Sequence, residues 1–210
     1  MKLSIIIFLI SISSISYSAE MTADSTLDTI VSPFEDMVEA ALAKDIKHVQ
    51  ESFGKAQAAE LVIKASLDYE NYKKFNKMFS ELEKFIKLKK FDKISRNAVE
   101  IFYINSIGFS KKQELSLSFQ IELEQLDYVG FKLLTLINQK NINWLELTKV
   151  ASYGRETWKK ITDKINNKEL SDAVSDNIEA TNIAISEKNK KITILMAKQT
   201  LALVDLLEKN

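Results

Sequence analysis

The chain has 210 residues, with 29 lysine and arginine side chains against 29 acidic ones, a single histidine and no cysteine. That charge balance offers no general field for nucleic acid or anionic lipid, and without cysteine there are no disulfides, no thiol nucleophile and no covalent haem attachment. Only four glycines and one proline interrupt the chain, so long helices joined by short polar turns are expected, an all-α fold.

Residues 1–19 read as a secretory signal peptide: Lys2 is followed by an apolar run from Leu3 to Ile15, and Ser16, Ser18 and Ala19 supply small residues for cleavage. The protein is therefore expected to be periplasmic or secreted. Later stretches are too short in apolar residues to span a membrane. Residues 20–30 are polar and read as a flexible lead-in. The first helix is expected at Ser32, with Pro33 in its first position and Glu35 completing a capping box. Phe34, Met37 or Val38, and Ala41 mark its inner face.

Asp45 caps a second helix with Ile46, Val49, Phe53 and Ala56 as its stripe. A third carries Tyr72, Phe75, Phe79, Leu82 and Ile86, and a fourth Phe91, Ile94, Ala98 and Ile101, with Asp92 expected at its cap and Gly108 near its end. Ser110 to Gln113 forms another capping box and opens the longest helix, cored by Phe119, Leu123, Leu126, Leu133 and Ile137. Asn143 and Glu146 cap the sixth helix, whose apolar and small residues Trp144, Leu147, Ala151, Gly154, Trp158, Ile161 and Ile165 recur every three or four positions. A seventh helix from about Glu169 carries Leu170, Val174, Ile178 and Ile185, and an eighth from about Lys191 carries Ile194, Leu201 and Val204.

Turns near residues 44, 89, 140 and 188 arrange these eight helices as four antiparallel hairpins. Two units follow, hairpins over 31–108 and a C-terminal four-helix bundle over 109–210. Within the second, Gly130 is expected level with Ala151 and Gly154 across the hairpin. Close packing is the simpler account of small residues there, because glycine costs a helix up to about 1 kcal/mol relative to alanine. The same place, flanked by Trp144 and Trp158, is also the candidate ligand pocket.

The residues for most chemistry are missing. One histidine cannot serve the paired Glu-x-x-His motifs of a di-iron bundle, and no Gly-x-Ser-x-Gly elbow or phosphate-cradling glycine loop occurs. Glu35, Glu39 and His48 are weak metal candidates, the two glutamates one turn apart on one helix face; exposed, lysine-paired acids are the commoner outcome of such spacing. No cofactor is expected. The reading that remains is a non-catalytic binding or interaction module of the bacterial envelope, whose partner is an envelope protein or a small ligand. A homodimer would cover helices with wide apolar faces. The alternatives are a metal- or haem-handling carrier using carboxylates and methionines, and an enzyme with a carboxylate pair.

Overall fold

Three hairpin turns use one device. Lys44, Lys89 and Lys188 each adopt a left-handed backbone, with φ of 59°, 51° and 54°. In each, the amide of the following residue reaches back to a carbonyl of the last helical turn: Asp45 to Ala40 at 2.8 Å, Lys90 to Phe85 at 3.0 Å and Asn189 to Ala184 at 2.8 Å. This closure satisfies carbonyls that a helix end leaves free. At two of the turns the next residue is at once the N-cap of the returning helix, Asp45 accepting from the amides of Lys47 and His48 and Asn189 from that of Ile192. Lys90 makes no side-chain cap.

The structure, a computed structural model, describes residues 22–111 and 118–209. It is all-α, with nine helices and no strand among the described residues: α1 (Ala23–Leu42), α2 (Ile46–Ala58), α3 (Glu60–Ser66), α4 (Tyr69–Lys87), α5 (Phe91–Ser110), α6 (Ser118–Ile137), α7 (Trp144–Ile161), α8 (Lys168–Ser186) and α9 (Lys190–Leu207). The expected hairpins pair as α1 with α2, α4 with α5, α6 with α7 and α8 with α9. Beyond the hairpins, α1 lies along α5, and α6 is held between α7 and α9 while also touching α5 and α1. The largest apolar core runs from Leu27 through Leu147 to Ala197 and so joins both halves of the chain; Phe102 of α5 meets Phe131 of α6 edge-on, ring centres 6.3 Å apart. A second cluster around Trp158, Leu123 and Leu207 closes the far end of α6–α9.

Several boundaries differ from the sequence reading. The signal segment lies outside the described residues. Residues 23–30 are not a lead-in but the first turns of α1, capped by Thr22, whose hydroxyl accepts from the Ser25 amide at 3.2 Å. Ser32 does not cap a helix; its hydroxyl donates to the Asp28 carboxylate, and Pro33 lies inside α1. An interior proline costs about 3 kcal/mol. Leu27, Ile30 and Val31 are all buried, and at about 1.5–3 kcal/mol for each such side chain burial outweighs the proline.

The segment after Ala58 holds a short helix, α3, that periodicity did not reveal, and α4 starts at Tyr69 because Asp68 accepts from the Asn71 amide. Asp92 sits in the first turn of α5 rather than at its cap. Ser110 is the last residue of α5, not the cap of the next helix; Lys112 and Gln113 lie outside the described residues. No described helix is long and apolar enough to cross a membrane.

Candidate functional site

Along α1, Asp28, Ser32, Glu35 and Glu39 follow one another at one-turn intervals, with Asp36 beside them. They line one side of a cleft of about 240 Å³ whose other walls are Glu124, Asp127 and Phe131 of α6 and Leu201, Asp205 and Glu208 at the end of α9. Each helix is fixed from behind by its apolar stripe: Phe34 and Met37 under α1, Leu123 and Leu126 under α6, Val204 and Leu207 under α9. Among the described residues, eight acidic side chains therefore share one recess, and none of those lining it is basic.

Two of the eight stand apart. Glu124 is only 6% exposed and Asp127 only 8%, yet among the described residues neither has a hydrogen-bond or ion-pair partner. Burying an unpaired carboxylate is costly enough that the group takes up a proton instead. Burial, reinforced by Glu35 and Glu208, holds both carboxyls well above their usual range. Glu35 is pushed up to about 8 by burial first, then by the charges of Glu208, Asp28, Asp36 and Glu39. Glu39 and Glu208 are raised by burial with a nearby aspartate, Lys209 pulling Glu208 partly back.

One turn further along α6 the chain treats a buried charge differently. Lys132 pairs with Glu100 of α5 and, at 3.4 Å, with Glu146 of α7. The buried ammonium of Lys132 is thus paired with opposite charge, whereas the buried carboxyls at the cleft face further acids.

Of the residues proposed from sequence, Glu35 and Glu39 line this cleft. His48 does not: it is on α2, its Nδ1 2.6 Å from Asp45 Oδ2, beside an open recess formed with Asp36, Glu39, Glu51 and Lys55. Among the described residues, no three histidine, aspartate or glutamate side chains converge closely enough to hold a metal ion. Glu122 and Gln125, one turn apart on α6, are engaged elsewhere: Glu122 with Lys160 at 3.1 Å, and Gln125 accepting from the Tyr153 hydroxyl at 2.5 Å.

The glycine–tryptophan pocket is not assembled as expected. A Cβ on Gly154 would sit 3.0 Å from Val129 of α6, whereas one on Gly130 would sit 2.5 Å from Leu201 of α9. Val129 and Gly130 are neighbours in sequence and so point about 100° apart around α6, one toward α7 and the other toward α9. Ala151 and Gly154 do line an interior space between α6, α7, α8 and α9, but it amounts to about 20 Å³, room for one water. Asn177 and Thr200 border it, and Asn177 Oδ1 is buried without a partner. Trp158 packs in the core and donates from Nε1 to Ser175 Oγ at 2.9 Å; Trp144 is half-buried at the start of α7. Neither tryptophan nor Gly130 borders that space.

Sequence reasoning missed Asp28, Asp36, Glu124, Asp127, Asp205 and Glu208. The readable signal was two acids three residues apart among the apolar residues Leu123, Leu126 and Val129 of a helix otherwise built for burial. No family model, curated protein or solved structure matches the chain.

Proposed function

We propose that the protein is an exported, non-catalytic binding module and that its site is the acidic cleft between α1, α6 and α9, which takes a positively charged ligand. The observation that carries this reading is the pair Glu124 and Asp127, more than nine-tenths buried, unpartnered and lining an open recess. A cation entering there exchanges for the protons the carboxyls hold and supplies the opposite charge that burial demands. The export half of the reading rests on residues 1–19 alone.

A carboxyl pushed up to about 8 by burial and neighbouring acids, as that of Glu35 is, also suits general acid–base chemistry. That observation favours a second reading, an enzyme with a carboxylate pair. Recovery of the bound ligand chemically unchanged after incubation separates binding from turnover.

The first experiment is thermal unfolding near neutral pH with simple inorganic and organic cations. The binding reading predicts that at least one cation raises the midpoint of the protein and not that of the Glu124→Gln/Asp127→Asn variant. Equal shifts in both, as general ionic screening would give, overturn it.

A further inference from the structure

The acidic residues of the cleft are spread along it rather than gathered at a point. On α1 alone they run from Asp28 to Glu39, a rise of about 16 Å at 1.5 Å per residue, with a carboxylate or hydroxyl on each turn. A hard divalent cation asks for the reverse, six or more oxygens at about 2.0–2.6 Å from one centre, and no three described acidic or histidine side chains converge in that way. The cleft volume of about 240 Å³ is also far beyond a bare ion. Successive turns of a helix bring side chains about 5–6 Å apart, which is the interval that a chain of three or four methylene groups puts between two ammonium nitrogens.

The apolar lining completes the match. Among the described residues, Phe131 of α6 and Leu201 of α9 are the only large apolar side chains bordering the cleft, and they give methylene groups a surface to cover. Glu124 and Asp127, buried and unpartnered, form the deep part of the wall, where one ammonium can be fully enclosed between opposite charges.

We propose that the ligand of this cleft is a linear aliphatic polyamine, lying along α1 with its ammonium groups over the oxygens of successive turns (Asp28, the Ser32 hydroxyl, Glu35 and Glu39) and its methylenes against Phe131 and Leu201. The proposal rests on the cation-binding reading above and names the ligand class for it. The charged groups that face the ligand are Asp28, Glu35, Asp36 and Glu39 from α1, Glu124 and Asp127 from α6, and Asp205 and Glu208 from α9, with Lys209 adjoining Glu208.

The test is isothermal titration calorimetry at mildly alkaline pH on the chain as its cells process it. The probes are spermidine, the diamine putrescine, magnesium or calcium ion, and a short oligolysine peptide. The expected result is one spermidine per chain, bound more tightly than putrescine and not displaced by the divalent ion. Affinity should fall by roughly tenfold or more in Glu124→Gln/Asp127→Asn, and less in the rim variant Asp28→Asn/Glu39→Gln, with circular dichroism confirming that both stay helical. Tighter binding of the divalent ion or the peptide, still lost in the double variant, overturns the polyamine assignment and leaves the cleft as a cation site. Binding of no probe, or binding indifferent to the double variant, overturns both.

Discussion

Asp127 and Lys132 lie five residues apart on one helix and meet burial in opposite ways. Lys132 ties α5, α6 and α7 together through Glu100 and Glu146, so Lys132→Met should destabilise the fold by about 1–3 kcal/mol, below the full cost of breaking a buried pair because both glutamates reach solvent. Chemical denaturation reads this directly, and an unchanged midpoint would contradict it. Asp127, Glu124 and Glu35 instead hold protons in the folded chain that the unfolded chain has already released at lower pH, since all three are raised by burial. Their contribution to stability is fully present below the ordinary carboxylate range and is lost as pH rises toward and past about 8, the value for Glu35. The ligand-free protein should therefore melt at a lower temperature at about pH 8.5 than at about pH 5, with Glu124→Gln/Asp127→Asn flattening the profile and raising the midpoint at the alkaline end. A cation in the cleft should reverse the trend. Glu35 and Glu39 could be picked from sequence because acids four apart share a helix face. For Glu124 and Asp127 the sequence shows only two acids among apolar residues; helical periodicity says which residues point together and not which neighbouring helix covers them.

At the scale of the element, the three lysines with positive φ occupy the position where helices most often place glycine. A non-glycine residue there carries a steric penalty of about 1–2 kcal/mol, partly offset by glycine's greater freedom in the unfolded chain. Lys89→Gly should consequently stabilise the α4–α5 hairpin by about 0.5–1 kcal/mol; a loss of stability in thermal unfolding would mean the lysine side chain is needed at the turn. These turns were legible because their chemistry is local: a polar residue in the left-handed conformation, then, at residues 45 and 189, an Asx cap. The start of α1 was not. Ser32, Pro33 and Glu35 carry a local start signal that a longer apolar stripe overrides, and the stripe includes Leu27 and Ile30, which only the packing against α5 makes visible. The Asn105 amide donates to the Ile30 carbonyl at 2.6 Å, a contact across 75 residues that fixes this end of α1. Ile30→Ala should cost about 2–5 kcal/mol, where a flexible lead-in would tolerate it without measurable change.

For the whole molecule, the cleft lies on the seam between the two halves of the chain. α1 belongs to the first set of hairpins and α6 and α9 to the second, and the apolar core is continuous beneath them. A ligand in the cleft bridges both halves, and anything that binds only the folded state stabilises it by mass action; unfolding should then remain a single transition that moves upward as a whole with ligand concentration. Gly130 links the packing to the site, since a Cβ there would press on Leu201, which lines the cleft. Which hairpins form followed from local turns, but the approach of α1 and α9 to α6 depends on contacts far apart in sequence, and the site exists only through that approach. The proposed site stands or falls with a cation held by Glu124 and Asp127. Native mass spectrometry of the protein isolated from its own cells, beside the Glu124→Gln/Asp127→Asn variant prepared identically, tests it most directly. A bound cationic species is expected on the wild-type chain and not on the variant; the same spectrum from both proteins would mean that Glu124 and Asp127 hold no cation.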